Sequence, residues 1–349
     1  MSATRVWRRH TLIVGGLICC VLVGLAVALA VGVGGSARPA GTAKATALIR
    51  QADAGGPRAV MTLEGEGSVR DGSREEGRLA VAQLAGGRAT EPVIASLRCD
   101  RAYMAAGRGL CVTAGPGAAA NHLAEVLGPD LKVQHTLPVE GSPSRARVSP
   151  DGRYGAVTMF ITGQAYVNIG QFSTDTVLID MKTGTKIGDL GNFTVFDHER
   201  QVTADDRTFW GVTFAPRNSD RFYATMATAG KTYLIQGSVS QATARVIHGN
   251  VECPSISPDG TRIAFKYRTG NRDHFWRLTV LDLRTMRETP LAETRSVDDQ
   301  AEWLDDNHVL YGLGGNVLSV PADGSGTPKL FLAGASSPAA VHAAVAQGT

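Results

Sequence analysis

The chain has 349 residues, of which 43% are hydrophobic and 19% are charged. This balance excludes an intrinsically disordered chain and a wholly membrane-embedded one. The net charge of only +3 argues against a nucleic-acid-binding surface, so no nucleic-acid partner is expected.

An apolar segment near the N-terminus is the first element in chain order. Residues 12–33 form a run of 22 uncharged residues, enough to cross about 30 Å of hydrocarbon as a helix. Arg5, Arg8 and Arg9 precede the run, and the positive-inside rule then places residues 1–11 in the cytoplasm. A cleaved signal peptide is the alternative, although its apolar region is usually shorter. We predict a single-pass signal anchor in the cell membrane, with the rest of the chain outside the cytoplasm.

Two kinds of composition follow the predicted anchor. Residues 34–57 are rich in glycine, proline and alanine, which predicts a flexible stalk with a short helix around residues 43–53. From there, short β-branched and aromatic segments alternate with glycine, proline, aspartate and asparagine, which is typical of strands and turns. Residues 119–128 fit a helix or a strand equally well. We predict an all-β domain at residues 58–333 and an alanine-rich tail at residues 334–349.

Three cysteines lie in the part of the chain predicted to be exported. Cys99 and Cys111 bracket an expected hairpin that turns near residues 106–108. A disulfide forms if Cys99 opens the first strand opposite Cys111. If Cys99 lies in the preceding turn, the two are about 20 Å apart at roughly 3.3 Å per residue, and no bond forms. We favour the disulfide and interpret Cys253 as a buried free thiol. CxxC and HxxxH spacings do not occur, so no metal site is expected.

A four-residue turn motif recurs along the domain. Ser-Pro-Asp-Gly occupies residues 149–152 and 257–260, and weaker copies occupy residues 98–101, 215–220 and 303–306. Its proline fixes φ, its aspartate caps the turn, and its glycine accepts the left-handed conformation. The structural turn positions are Pro150, Asp151, Gly152, Pro258, Asp259 and Gly260. Units of roughly 40–45 residues with four strands each are typical of propeller blades.

The turn motif, the apolar strand after it, and the later segments 175–190 and 276–292 resemble the TolB-like, WD-type propeller repeats of exported bacterial proteins. The resemblance covers residues 90–332 and implies a β-propeller, a fold that serves many functions. We predict about six four-stranded blades, preceded by the transmembrane helix. Five blades are expected to start near residues 93, 144, 208, 251 and 297. The sixth is expected to pair strands from residues 58–84 with residues 329–334, which closes the ring.

Two long insertions interrupt the repeat, at residues 162–176 and 191–207. Alternating strand direction predicts both on the face opposite the Ser-Pro-Asp-Gly turns, together with the loop at residues 267–277. Long loops in compact domains are usually functional, and aromatic residues and arginine are typical of recognition surfaces. Alternatively, the insertions cover the propeller mouth without binding a partner. The candidate binding residues on this face are Tyr166, Phe172, Phe193, Phe196, His198, Arg200, His274 and Trp276.

The sequence carries no recognisable catalytic or cofactor motif. It lacks a Gly-x-Ser-x-Gly elbow, residues 226–233 lack the first glycine of a phosphate loop, and the acidic residues at 298–306 lack calcium-loop spacing. The readable innermost strands, such as residues 145–148 and 300–303, offer few paired carboxylates.

We therefore predict a monomeric, non-catalytic, membrane-anchored propeller without a cofactor. Its expected role is to bind an envelope protein, peptide or glycan outside the cytoplasm. An envelope enzyme, such as a glycan lyase or hydrolase with its active site in the channel, is the alternative. A purely structural envelope component is a third hypothesis.

Overall fold

The computed structural model describes residues 40–56, 59–64, 69–70, 73–74, 77–85, 88–115, 121–163, 166 and 171–341. The predicted signal anchor at residues 12–33 lies outside this range. Within it, no helix is both long and apolar enough to cross a membrane.

The first part of the described chain contains one helix and six short strands. They are α1 (Ala40–Asp53), β1 (Ala59–Glu64), β2 (Val69–Arg70), β3 (Ser73–Arg74), β4 (Arg78–Ala85), β5 (Arg88–Ala89) and β6 (Val93–Arg98). β2 and β3 pair only with each other.

Five complete blades follow. Blade 1 contains β7 (Arg101–Ala105), β8 (Arg108–Ala114), β9 (Asn121–Leu127) and β10 (Val133–Glu140). Blade 2 contains β11 (Ser142–Val148), β12 (Tyr154–Thr162), β13 (Ser173–Asp180) and β14 (Thr185–Asp189). A short 3-10 turn (Leu190–Asn192) then leads to β15 (Thr194–Asp197) and β16 (Arg200–Gln201). Blade 3 contains β17 (Thr208–Ala215), β18 (Asn218–Thr228), β19 (Lys231–Ser238) and β20 (Thr243–Gly249).

Blade 4 contains β21 (Glu252–Ile256), β22 (Arg262–Arg268), β23 (Trp276–Asp282) and β24 (Glu288–Pro290). Blade 5 contains β25 (Glu302–Asp305), β26 (His308–Leu313), β27 (Asn316–Pro321) and β28 (Lys329–Ala333), and β29 (Ala335–Val341) follows it. A sixth sheet, the closing blade, joins β29 to β1, β4 and β6. The prediction of about six blades is confirmed.

The six sheets surround a central channel. β7, β11, β17, β21, β25 and β29 are the innermost strands, and neighbours among them are in contact around the ring. Because consecutive strands are antiparallel, the first-to-second and third-to-fourth turns of every blade lie on one face of the disc, which we call the turn face. The second-to-third loops and the connections between blades lie on the other, the loop face.

The two Ser-Pro-Asp-Gly turns connect the first and second strands of blades 2 and 4, as predicted. In both copies the serine hydroxyl donates to the aspartate, at 2.6 Å for Ser149 and 2.5 Å for Ser257. Gly152 and Gly260 adopt φ of +69° and +76°, values that glycine reaches without strain. The motif therefore specifies a blade corner on the turn face.

The first predicted blade boundary is wrong. Residues 93–98 form β6, the outer strand of the closing blade, and the first complete blade starts at Arg101. The weak motif copy at residues 98–101 therefore connects two blades, while the corresponding corner of blade 1 lies at Ala106 and Gly107. Residues 121–127, where helix and strand were equally compatible with the sequence, form β9.

The ring closes with a strand that the sequence analysis placed in the tail. β1 pairs antiparallel with β29, with Ala59 opposite Val341 and Met61 opposite Ala339. β28, the strand expected to close the ring, is instead the outer strand of blade 5. The prediction failed because β29 is rich in alanine and serine, which are weak strand formers. Small side chains fit here because innermost strands pack closely around the channel.

α1 packs on the closing blade, which corrects the prediction of a flexible stalk up to residue 57. The backbone N–H of Ser96 on β6 donates to Thr42 Oγ1 at 2.9 Å. The buried apolar side chains on the helix recur at helical spacing and contact the core of the closing blade; they are Ala45, Ile49 and Ala52. The helix is therefore part of the folded domain.

The second insertion extends blade 3 at its outer edge and does not cover the loop face. β15 pairs in parallel with β20, with Thr194 opposite Thr243, and β16 pairs with β15. The backbone N–H of Thr194 donates to the carbonyl oxygen of Ala242 at 3.1 Å, in a turn on the turn face. The predicted loop-face position of residues 191–207 is therefore wrong, because this segment satisfies the main-chain groups of an otherwise open sheet edge.

Cys99 and Cys111 form a disulfide with a Cα–Cα distance of 5.4 Å. Cys99 lies just before β7, and the backbone N–H of Asp100 donates to Val112 O at 2.7 Å, which extends the ladder of β7 and β8. The bond forms although Cys99 lies in the connection before β7, where its backbone N–H donates to Gly77 O at 2.9 Å, and although Ala102 is the residue opposite Cys111. The predicted disulfide is confirmed, whereas the expectation that a cysteine in this turn would lie too far from Cys111 was wrong. Cys253 is a buried free thiol.

The stability of the fold should decrease in acid because of Glu293, a buried residue in the connection between blades 4 and 5. Burial alone raises the pKa of Glu293, but hydrogen bonds from Arg295 and Tyr311, at 2.6 Å each, outweigh it and hold the pKa at about 2, below the ordinary value of 4.5. Because the folded-state pKa is lower, the stabilisation is complete above about pH 4.5 and is lost as the pH falls towards about 2.

Glu293→Gln should therefore reduce stability at neutral pH and flatten the decline between these values, as measured by urea denaturation across acidic pH. Glu199→Gln, at an exposed position, should leave the pH profile unchanged. An unchanged profile in the Glu293 variant contradicts the assignment.

Candidate functional site in the central channel

The turn-face end of the channel opens into a cavity of about 90 Å³, which we call the funnel. Its rim carries Pro150, Pro216 and Pro258, the corner prolines of blades 2, 3 and 4, and its wall includes Phe214 and Trp303. The prolines lie together because each corner turn places its second residue at the inner end of its blade. The repeat that builds the fold therefore also builds an apolar rim.

A buried ion pair forms the base of the funnel. The guanidinium of Arg147 on β11 bonds to Glu302 on β25, and the side chains are 6% and 4% exposed. Arg147 also donates to Ser255 Oγ at 3.1 Å and to the carbonyl oxygen of Ala301 at 3.0 Å. The backbone N–H of Ala340 on β29 donates to Glu302 at 3.2 Å. One ion pair thus connects blades 2, 4 and 5 with the closing blade.

Tyr103 on β7 completes this network. Its hydroxyl donates to Glu302 Oε1 at 3.0 Å, and the Arg147 guanidinium lies 4.6 Å from the centre of its ring, within the range of a cation–π contact. Burial, together with the negative charge of Glu302, raises the pKa of the Tyr103 hydroxyl. Tyr103 therefore remains protonated and donates to the carboxylate.

Tyr166 fills the loop-face end of the channel and is 2% exposed. Its hydroxyl shares a hydrogen bond with Ser144 Oγ, and its ring stacks on Trp210 with 5.0 Å between centroids. The charged groups of Arg145 and Lys266 lie 5.8 Å and 5.0 Å from the ring centre. Tyr166 belongs to the first insertion, residues 162–176. This residue of the insertion therefore lies inside the channel.

Two cations lie beside Tyr166, and both are bonded to Asp298. Lys266 is a buried side chain, 1% exposed, and donates from Nζ to Asp298 Oδ1 at 2.6 Å. It also lies 4.3 Å from the ring centre of Trp276. Arg145 donates to the carbonyl oxygen of Asp298 at 3.0 Å. Buried charges persist when they are paired and hydrogen-bonded in this way.

Glu252 and Arg268 form the other ion pair near Tyr166. Glu252 accepts a hydrogen bond from Trp276 Nε1 at 3.3 Å, and Arg268 donates to the carbonyl oxygen of Tyr166. Burial raises the pKa of Glu252, while the neighbouring Lys266 and Arg268 oppose that rise. We call the residues at this end the plug cluster; they are Arg145, Tyr166, Glu252, Lys266, Arg268 and Asp298.

Four of the eight predicted binding residues are core residues. Tyr166, Phe172, Phe193 and Trp276 are buried, and Phe193 packs on Phe222 with 5.8 Å between ring centroids. Their assignment to an exposed recognition surface is therefore wrong. The first insertion returns Tyr166 and Phe172 to the interior and the second returns Phe193, so that their apolar area is removed from water.

The other four predicted residues retain surface positions. Phe196 is half-buried, and His198, Arg200 and His274 are exposed. The first three lie on the hairpin of β15 and β16, while His274 lies in the loop between β22 and β23 of the next blade. They remain a predicted interaction surface.

The charged channel lining was not predicted from the sequence, although residues 145–148 and 300–303 were assigned to innermost strands. Residues two apart on a strand point to the same side, so Arg145 and Arg147 both reach the channel. The available signal was this charged alternation in a strand that is otherwise small and apolar. Within the described ranges, no group of three histidine, cysteine, aspartate or glutamate side chains could hold a metal ion.

Solved structures of other proteins have a similar fold. No protein-family model and no curated protein matches the chain. The crystal structure of TolB from Acinetobacter baumannii is similar with a TM-score of 0.53 at 16% sequence identity, covering 81% of this chain and 66% of that one. A chain in the crystal structure of a nidogen/laminin complex is similar with a TM-score of 0.53 at 10% identity, covering 84% of this chain and 100% of that one.

The chain is thus a six-bladed β-propeller, and its fold is similar to that of TolB. It spans just under two thirds of the length of that TolB chain, and at this identity the likeness concerns the fold.

Proposed function

We propose that the protein is a non-catalytic, membrane-anchored β-propeller that binds a peptide segment of an envelope protein at the mouth of the funnel, as a monomer outside the cytoplasm. The observation that carries this proposal is the asymmetry of the channel. Tyr166 fills the loop-face end, whereas the turn-face end is a cavity with an apolar, proline-lined rim. A partner can therefore enter from the turn face.

The state of the buried charges favours binding over catalysis. Glu302 already accepts hydrogen bonds from Arg147, Tyr103 and the backbone of Ala340. A general acid or base must lie within hydrogen-bond reach of the proton that it transfers. The carboxylate of Glu302 instead accepts its hydrogen bonds from groups of the protein. The channel enzyme considered as the alternative therefore has less support than a binding module.

Two observations support the cellular location. The run of 22 uncharged residues at positions 12–33 follows three arginines, as expected for a membrane anchor with an exported domain. The disulfide between Cys99 and Cys111 is of a kind that forms and persists in oxidising compartments. In addition, one propeller of similar fold was solved within a complex of two proteins.

Photo-cross-linking in cells that produce the protein tests the binding face. A benzoylphenylalanine residue in place of Arg217, an exposed residue beside the funnel rim, should form a discrete covalent adduct. The same residue in place of His198, on the β15–β16 hairpin, should not. An adduct only at position 198 contradicts the funnel and supports the hairpin surface.

A substitution that fills the funnel provides a quantitative test of partner binding. Ala105→Arg places a long side chain in the funnel and should lower the adduct yield at position 217 by at least about tenfold, equivalent to about 1.4 kcal/mol of binding free energy. Ile187→Arg, on the exposed outer strand of blade 2, is the matched control and should retain the yield. Equal yields in both variants contradict the proposal.

A further inference from the structure

A second cavity lies at the outer rim of the turn face, between blade 5 and the closing blade. Its volume is about 870 Å³, within the range of established ligand-binding sites. Its walls come from β4 and β5 on one side and from β25 to β28 on the other. We call it the rim groove; its lining includes Leu84, Arg88, Asp305, His308, Lys329 and Leu330.

The floor of the rim groove exposes apolar surface. Leu330 on β28 is 64% exposed, the highest value among the exposed large hydrophobic side chains of the described residues. Phe331 and Leu84 lie in the same groove and are half-buried. The surface of an isolated domain often bears single apolar residues, but a leucine, a phenylalanine and a second leucine in one concave site form a patch of the kind that marks an interaction site.

The charged groups that line the groove are two cations and one carboxylate. Arg88 and Lys329 are exposed at opposite walls. The acidic residue of the lining, Asp305, is engaged within the protein, since it accepts hydrogen bonds from the backbone N–H of Asn307 at 2.8 Å and from His308 Nδ1 at 3.0 Å. The exposed basic groups therefore favour an acidic occupant.

The outer strand of blade 5 favours an extended occupant. β28 contributes three consecutive residues to the lining, Lys329, Leu330 and Phe331. Its register with β27 shifts between Val317 and Leu318, and such a bulge together with an edge lysine disfavours the addition of a regular strand. Side-chain contacts within the groove, and not a continuous main-chain ladder, must therefore supply the binding.

We propose that the rim groove binds an extended acidic peptide segment of a partner protein, with one apolar side chain against Leu330 and Phe331 and carboxylates against Arg88 and Lys329. The rim groove is separate from the funnel. Its occupant is acidic, whereas the rim of the funnel is apolar.

Fluorescence anisotropy with the full chain in detergent tests the proposal. The probes are a labelled acidic peptide, Glu-Asp-Val-Leu-Val-Asp-Glu, and its basic counterpart, Lys-Lys-Val-Leu-Val-Lys-Lys. The wild-type chain should bind the acidic peptide, more weakly as the ionic strength rises, and should not bind the basic one. Leu330→Asp should weaken binding of the acidic peptide about tenfold, because it removes the apolar contact.

A reversal of charge separates recognition from folding. The double variant Arg88→Glu/Lys329→Glu should lose about tenfold in affinity for the acidic peptide and gain affinity for the basic one, a change of preference that misfolding cannot produce. Arg284→Glu/Arg287→Glu changes the net charge equally at an exposed turn of blade 4 and should behave as wild type. Ile187→Asp is the matched control for Leu330→Asp.

Three results would overturn the proposal. The first is no binding of the acidic peptide to the wild type, or equal binding by all variants. The second is self-association that Leu330→Asp abolishes without peptide binding, which assigns the groove to a second copy of this chain. The third is binding to anionic lipid vesicles in place of the peptide. Because Ala105→Arg leaves the rim groove intact, it should not affect peptide affinity, so failure of the funnel proposal and failure of this one are distinguishable.

Discussion

Replacing Glu302 with alanine should lower the free energy of unfolding by about 3–5 kcal/mol, because it leaves the Arg147 guanidinium buried without its anion. The two side chains are 4% and 6% exposed, so water cannot take over the lost interaction. The substitution also removes the acceptor for the Tyr103 hydroxyl and for the backbone N–H of Ala340. Chemical denaturation followed by tryptophan fluorescence measures the effect.

The matched comparison removes both charges. The double variant Arg147→Met/Glu302→Leu should recover most of the lost stability, since replacing a whole buried pair with apolar groups is often neutral. Lys186→Ala breaks the exposed pair between Lys186 and Asp189, with a 2.7 Å contact, and should change stability by less than about 1 kcal/mol. If the double variant is as unstable as Glu302→Ala, the uncompensated charge is not the cause and the prediction fails.

This ion pair also bears on function. It fixes the position of four innermost strands at the base of the funnel, so its loss should disturb the cavity without touching the rim prolines. The Arg147→Met/Glu302→Leu variant then separates two contributions to partner binding. If it folds and still supports cross-linking at position 217, the apolar rim supplies the recognition; if cross-linking is lost, the buried charges contribute to it.

The architecture was predictable where local sequence and fold agree. The two Ser-Pro-Asp-Gly segments require a tight turn whichever blade they belong to, since proline and a glycine with positive φ leave few alternatives. They gave the starts of blades 2 and 4 to within a few residues, and the weaker copies at residues 215–220 and 303–306 did the same for blades 3 and 5. Only the weakest copy failed. Residues 98–101 contain the aspartate without the proline and glycine, and the structure uses them as a connection between blades.

The site was not predictable to the same extent, because burial is a property of the whole fold. Tyr166 and Phe172 lie in a long insertion between two strands, and nothing local distinguishes an aromatic ring exposed on a loop from one that returns to the core. Arg147 shows the converse. An arginine is usually exposed, and only its partner Glu302, distant in sequence on another blade, makes its burial favourable. Pairings over such separations leave no local pattern in one sequence.

The closing strand provides the sharpest difference between the sequence prediction and the structure. A chain that ends at Gly334 lacks β29 and should lose cooperative folding altogether. β1 then loses its inner partner along Ala59 to Glu64, the channel loses one of its six walls, and Glu302 loses the Ala340 N–H. The loss should reach the whole stability of a domain of this kind, about 5–15 kcal/mol. Circular dichroism during thermal denaturation should show no cooperative transition.

A chain that ends at Val341 is the matched control, because it retains β29 and removes only the residues after it. This truncation should unfold with the same midpoint as the full chain. The substitution Ala339→Asp tests β29 without shortening the chain. Ala339 is fully buried, so a charge there should lower the free energy of unfolding by several kcal/mol. If residues 334–349 are a tail, as their composition suggested, all three changes should be tolerated equally. If β29 closes the ring, only the chain ending at Val341 remains stable, since a propeller whose last strand pairs with its first depends on both ends of the chain.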